Sequence, residues 1–402
     1  MRIAYITYEY PPDIPQGGIA TYVQQTAQVM LKRGHEVEIF CASGTRTISE
    51  VYDGVLVHRS KSLNPSEYQF ACVSIFEKRH FKYPFDVIEC PEIHANALKI
   101  KEKYAEIPLM VKLHMPLFLQ MRLYNYYTPL LSKFRFFLGG LKRGRINIYG
   151  KYNYKIDPDY IMTMMAEGIS SPSLSLKNIL SKEWKIKSQM IDIIPYPFQP
   201  SKKSLLIPIE NKCENKVTFV GKLNVHKGIV NIIKIIPLIV KDHPEVMFTL
   251  IGNDSFFGLK KILMSNYIRL KLKGYEKNYE IKGALSYDQI LKELEDTTVC
   301  IFPSIWENFP MVCLEAMSAG KAIIGSKNGG MNEMLSDGAG IIVDPLNVIK
   351  MVDELKILLT NKSLRYDYGE KARTKLLKNY NEDVIGKMME NSFENLIRKK
   401  ST

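Results

Sequence analysis

The 402-residue sequence is short of acid. It carries 42 aspartates and glutamates against 55 lysines and arginines, a formal net charge of +13. A surplus of that size points to an anionic partner: nucleic acid, an acidic membrane surface or a phosphorylated small molecule. Cysteine is scarce too. The six, Cys41, Cys72, Cys90, Cys213, Cys300 and Cys313, show no CxxC spacing and mostly sit in apolar runs. That favours buried free thiols in a reducing compartment over metal ligands or a disulfide framework. No apolar run approaches the ~20 residues of a spanning helix. Met1–Pro12 reads as a short strand entering a turn, not as a secretion signal. A cytoplasmic protein is expected, with a peripheral place on the inner membrane face as a further option. The sequence has no HExxH, GxGxxG, Walker A loop or GxSxG elbow, so the common zinc-protease, nicotinamide, P-loop and serine-hydrolase signatures are missing. What remains, 46% hydrophobic and 24% charged, is the composition of a globular chain, not a disordered or collagen-like one.

The length suggests two domains. Arg2–Thr7 reads as a strand, broken at Pro11-Pro12. Gly17-Gly18 then precede a helical spacing over Ile19–Arg33, closed by Gly34. Val37–Cys41, Val55–His58, Val87–Glu89, Leu109–Leu113, Tyr160–Met164 and Ile191–Ile194 read as further strands. Ile194–Pro200 holds three prolines and reads as a linker. Beyond it the alternation restarts. Strands are expected at Val217–Val220, Val246–Ile251, Glu280–Lys282, Val299–Phe302 and Ala322–Ile324. Helices are expected at Lys227–Val240, Phe256–Leu272 and Met311–Ala319, with Leu346–Leu359, Leu364–Asn379 and Glu382–Arg398 closing the chain. Strands alternating with helices imply parallel sheets covered on both faces. The expected fold is therefore α/β, two Rossmann-like parallel-sheet domains facing a central cleft, residues 1–195 and 196–379.

Four clusters carry chemistry. In Pro303–Gly320, Glu307 and Glu315 stand eight positions apart. Pro310 separates them, so Glu307 belongs to the loop after a strand and Glu315 to the following helix. The amides of Met311 and Val312 at that helix start suit a phosphate. An ionised carboxylate on either side suits vicinal hydroxyls; two solvated glutamates are the plainer alternative. In VGKLNVHKG, Lys222 and Lys227 flank a strand-to-helix junction and can grip a diphosphate as point charges. Gly17 and Gly18 let a ligand approach the backbone between the first strand and helix. His114 ends a strand and points toward ligand if the sheet is parallel. Asp157-Pro158-Asp159 has the letters of a metal-binding DxD but is read as opening the strand Tyr160–Met164.

Taken together and in this order, Gly17-Gly18, His114, GKLNVHKG, ENFPMVCLEAMSAG and SKNGGMNEML resemble the retaining GT-B glycosyltransferases of the large family 4. The resemblance spans nearly the whole chain and implies transfer of a hexosyl group from a nucleotide diphosphate sugar to a glycan or lipid-linked glycan, in surface polysaccharide or glycoconjugate synthesis. It implies that Glu315 binds the ribose hydroxyls. Glu307 would contact the transferred sugar, with the Phe309–Met311 backbone, Pro310 included, lining its pocket. Met311 and Val312 would meet the distal phosphate, and Lys222 and Lys227 the diphosphate. Gly18 would let the first loop close over the phosphates, His114 would sit by the donor sugar, and residues 380–402 would cross back onto the first domain. Two positions depart from the family. Lys222 replaces a frequent arginine, losing the forked grip, and Pro310 replaces a frequent glycine, removing a backbone donor. No cofactor and no obligatory metal are expected. Base recognition is expected from backbone near Ile281–Gly283. A nucleotide-sugar epimerase or glycan phosphorylase on the same scaffold, or a non-catalytic basic binding protein, are the alternatives.

From Met115 to Ile156 there is no acidic residue. Arg122, Lys133, Arg135, Lys142, Arg143, Arg145, Lys151 and Lys155 alternate there with ten tyrosines and phenylalanines, among them Tyr124, Tyr127, Phe134, Phe137 and Tyr154. Such a segment suits an anionic membrane surface or a lipid-linked acceptor better than nucleic acid.

Overall fold

The computed structural model of the protein describes residues 1–14, 17–146, 148–209, 215–258 and 262–401. The chain forms two compact units. The first is Met1–Gln120, Tyr152–Phe198 and Tyr380–Thr402; the second is Met121–Lys151 and Gln199–Asn379. Residues 121–151 thus group with the second unit, where the sequence assigns them to the first domain.

The first unit is built on eight strands: β1 (Arg2–Ile6), β2 (Glu36–Ser43), β3 (Ile48–Tyr52), β4 (Val55–Lys61), β5 (Val87–Pro91), β6 (Leu109–Lys112), β7 (Gly168–Ser171) and β8 (Ile191–Ile193). Their order is β3-β4-β2-β1-β5-β6-β7-β8. Every pairing is parallel except β3 with β4. β1 and β5 are buried along their whole length, as strands covered on both faces must be. β3 escapes the sequence reading because its side chains are mostly exposed and lack an apolar run. Its register with β4 is set by a two-residue turn at Asp53 and Gly54, both at positive φ.

Tyr160–Met164 is not a strand. It lies in the helix Pro158–Met165, which Asp157 caps by accepting the amide of Asp159 at 3.0 Å, with Pro158 in the first turn. The DxD letters are a helix cap. The strand belongs instead to Gly168–Ser171, whose composition gives no β signal. The closing helix Glu382–Ser401 packs on the first unit, where Arg33 and His35 donate to Glu390 and Lys32 to Glu382. Beneath the sheet, the carboxylate of Glu38 takes bonds from Arg2, His58 (2.8 Å) and Arg79 (2.8 and 2.9 Å).

The second unit holds β9 (Lys216–Val220), β10 (Met247–Ile251), a hairpin of β11 (Phe256–Phe257) and β12 (Ile262–Leu263), β13 (Tyr279–Gly283), β14 (Val299–Phe302), β15 (Ala322–Ser326) and β16 (Ile341–Val343). The sheet runs β13-β10-β9-β14-β15-β16, all parallel. The helix Ile229–Val240 packs six buried isoleucines and an asparagine onto it. The helix expected over Phe256–Leu272 is shorter. Phe256–Phe257 pairs with Ile262–Leu263, and the helix begins only at Met264. Residues 259–261 of that expectation lie outside the described residues, as does Cys213. The other five cysteines are buried free thiols. Among the described residues no helix is long and apolar enough to cross a membrane.

Candidate active site

In a parallel sheet, the loops at the carboxyl ends of the strands are the place for a ligand. In the second unit two such loops carry the expected residues. After β9, Gly221 turns the chain, and Lys222 follows with an exposed side chain. Asn224 accepts the amide of Lys227 at 2.9 Å and so shapes the turn that presents Lys227. Gly228 ends this turn at φ +79. A Cβ there would lie 2.0 Å from the carbonyl oxygen of Pro303, so only glycine lets the β9 and β14 loops touch. The two loops are also tied through Ile305, whose amide donates to the carbonyl of His226 at 2.8 Å.

After β14, the chain passes through Ser304 to Glu307. The ammonium of Lys227 donates directly to Oε1 of Glu307, and Ser304 Oγ reaches the same oxygen at 3.2 Å. The peptide of Glu307 is clamped from the other side. The amide of Gly330 donates to its carbonyl at 2.8 Å, and Gly329, at φ +83, approaches so closely that a Cβ would lie 1.9 Å from that oxygen. Asn328 donates to the carbonyl of Ile305 at 2.9 Å. The SKNGGMNEML segment therefore acts as a brace for Glu307.

Pro310, in an extended conformation, caps the helix Met311–Ser318. Phe309 and Pro310 are buried, while Met311 and Val312 are half-buried. The amide of Cys313 donates to the Pro310 carbonyl at 3.0 Å, leaving the amides of Met311 and Val312 at the positive end of the helix dipole. Glu315 lies in the second turn. Its Oε2 is sealed from solvent with no hydrogen-bond partner among the described residues, and burial pushes the carboxyl up to about 7. A sealed carboxylate oxygen lacking a donor is what a hydroxyl group of a ligand would satisfy.

In the first unit, Gly17 is the N-cap of the helix Gly18–Lys32. A Cβ on Gly18 would meet nothing within 4 Å. His114 is buried at the end of β6. Its Nδ1 shares a 2.7 Å hydrogen bond with the hydroxyl of Tyr196, and its ring packs edge-on against Tyr22. Burial first, then the nearby Lys112, pushes its imidazolium down to about 3, so the ring is neutral at ordinary pH. Glu92, unremarked in the sequence, accepts the backbone amides of His114 (2.8 Å) and Met115 (2.6 Å). Glu89, Tyr22 and Lys112 complete this buried polar cluster, with Tyr22 donating to Glu89 at 2.7 Å. A signal existed only in retrospect: glutamate recurs in VIECPE, at a strand end. Beside the cluster a surface cleft of about 240 Å³ is lined by Gln69, His94, Gln120, Asp157 and Asp159 among others. Burial, then the charge of Asp157, pushes the Asp159 carboxyl up to about 7.

Comparison with known families decides what these loops belong to. The family described as "Glycosyl transferases group 1" matches residues 206–375, and "Glycosyltransferase Family 4" matches residues 16–201. The chain belongs to the group 1, family 4 glycosyltransferases. An uncharacterized glycosyltransferase of Methanocaldococcus jannaschii is 23% identical across 98% of both chains. Among solved structures, sucrose-phosphate synthase from Thermosynechococcus elongatus is similar over 99% of both chains, with a TM-score of 0.72 at 17% identity. Anabaena HepE, solved in complex with UDP-glucose, covers 98% of this chain and is itself covered completely, with a TM-score of 0.68 at 14% identity. At such identities the structural likeness shows the fold alone, and that fold is GT-B. In the second unit, the loops after β9 and β14 bring together the cation of Lys227 and the carboxylate of Glu307, just before a helix tip and the helical Glu315.

Proposed function

We propose that this glycosyltransferase moves a hexosyl group, with retained configuration, from a nucleotide diphosphate sugar to a glycan or lipid-linked glycan. The reading places it in surface polysaccharide or glycoconjugate synthesis, peripheral on the inner face of a membrane. The bond from the anomeric carbon to the diphosphate breaks, the acceptor oxygen bonds to that carbon as its hydroxyl gives up its proton to the departing phosphate or to solvent, and the nucleoside diphosphate leaves with the bond's electron pair and the negative charge it brings. That charge must be met by groups already in place. Lys227, with Lys222 earlier in the same loop, and the Met311–Val312 amides are assigned to this task, without an obligatory metal. Glu315 is assigned to the ribose hydroxyls and Glu307 to the sugar, lined by Phe309 and Pro310. The roles of Gly17, Gly18 and His114 rest on the family resemblance. The cleft of the first unit, edged by carboxyl and amide groups, supports an acceptor rich in hydroxyls.

One observation carries the reading: Lys227 and Glu307 meet at the strand ends, on loops that glycines hold together. The test is a panel of UDP, GDP and ADP sugars, with nucleotide release measured with and without a lipid-linked acceptor. Acceptor-stimulated release from one donor, with the anomeric configuration kept in the product, is expected. Release from none, or product of inverted configuration, would overturn it.

A further inference from the structure

The helix Leu130–Leu141 is built inside out. Its one buried residue is Gly140. Leu130, Leu131, Phe134, Leu138 and Leu141 are all exposed, Leu130 at 82% and Phe134 at 57%. At about 100° per residue these five fall within roughly a quarter to a third of the helix circumference, the arc a globular protein turns toward its core. The small residues Ser132, Gly139 and Gly140 lie on the opposite side. Past the helix, Ile146 and Ile148 are exposed as well, at 76% and 56%. An exposed apolar arc of this kind on a helix marks an interaction site.

Charge says what covers it. Arg135 flanks the stripe, and Lys142, Arg143 and Arg145 follow at the helix end, all exposed. No aspartate or glutamate lies between residues 115 and 156 to offset them. An apolar arc edged by cations alone is complementary to a surface with an apolar interior and an anionic skin. A second copy of the same face would set like charges against each other.

We propose that the helix Leu130–Leu141, with Lys142–Ile146 after it, lies in the interface of an anionic lipid bilayer. Its leucines and Phe134 enter the acyl boundary, and Arg135, Lys142, Arg143 and Arg145 meet lipid phosphates. The inference deepens the transferase reading by naming its partner surface, and rests on that reading only for its purpose, which is to hold the enzyme where a lipid-linked acceptor resides.

The experiment is flotation of the full chain with vesicles of phosphatidylcholine alone or with phosphatidylglycerol. It is run on the natural chain, on Leu130→Glu/Phe134→Glu and on Arg143→Glu/Arg145→Glu. Binding to the anionic vesicles only is expected, weakened at least tenfold by either pair of substitutions and by raised salt. Because these side chains are exposed, both variants should melt with the natural chain, and donor hydrolysis by the same samples should be unchanged. No flotation with either vesicle, or flotation indifferent to the substitutions, overturns the proposal. A dimer that Leu130→Glu/Phe134→Glu dissociates, in a chain that does not float, overturns it in favour of self-association. Loss of donor hydrolysis in the natural chain would instead count against the transferase reading and leave the vesicle result standing.

Discussion

The ammonium of Lys227 rests on the carboxylate of Glu307, a residue 80 positions later in the chain. Each is assigned a different part of the donor, so one ion pair joins the leaving-group grip to the sugar contact. Lys227→Ala removes the cation and strands Glu307 beside the helix tip. We expect kcat/KM for the sugar nucleotide to fall about a hundredfold or more, near 2.7 kcal/mol of transition-state stabilisation. Lys227→Arg keeps the charge and should recover part of it. Near-normal turnover in Lys227→Ala would remove Lys227 from the site.

Glu315 should make donor binding depend on pH. Its carboxyl, normally near 4.5, is raised to about 7 by burial. Only the ionised form accepts two hydroxyl donors, so affinity for the nucleotide should rise between pH 6 and 8 and be flat in Glu315→Gln. Stability should move the other way. A carboxyl that holds its proton more tightly when folded stabilises at low pH, and that contribution is lost as pH climbs from about 4.5 through about 7. Glu315→Gln should therefore raise the melting temperature more at pH 8 than at pH 5. Equal shifts at both values would contradict the assignment.

Gly18 and Gly329 should answer alanine in opposite ways. A methyl at Gly18 meets open space, so Gly18→Ala should melt with or slightly above the natural chain, as alanine favours the helix it begins. With the fold intact, a drop of about tenfold in kcat/KM would report ligand approaching the backbone there. At Gly329, φ is +83 and a Cβ would sit 1.9 Å from the Glu307 carbonyl. Gly329→Ala should cost about 2 kcal/mol or more in urea unfolding and reduce transfer by shifting Glu307.

Glu38 governs acid stability in the first unit. Burial would raise its carboxyl, but bonds from His58, Arg79 and Arg2 outweigh that and hold it well below the usual carboxylate range. The stabilisation is present above the unfolded value near 4.5 and lost as pH falls below it. Glu38→Gln removes the buried counter-charge that Arg2 and Arg79 share and should cost about 3–5 kcal/mol at pH 7, with a smaller difference at pH 3. Urea unfolding at both pH values measures this.

His114 should stay silent in the pH range where histidines normally titrate. Its ring is neutral down to about 3, so proton resonances of the imidazole should not shift between pH 5 and 8. A titration near 6.5 would show that the Tyr196 bond and the burial of the ring are not as described.

Much of the second unit was legible in sequence. Runs such as VTFV and VCIF are too apolar for anything but buried strands, and the helices between them carry ordinary end signals. Glu307 and Glu315 were separable because Pro310 stands between them. The same rules misjudged Tyr160–Met164, where a capping aspartate and a first-turn proline outweighed an apolar run. They missed β3, whose pairing depends on its neighbour and not on its own residues. They were blind to Glu92, whose role comes from two amides more than twenty residues away.

By itself, the chain determined which stretches are strands or helices wherever apolar period and end signals agree, because those are local properties of neighbouring residues. Only the tertiary structure decided that Lys227 meets Glu307, that Gly329 braces it, and that the Leu130–Leu141 helix turns its leucines outward. Contact and exposure depend on what the rest of the chain brings alongside, and no local pattern records that.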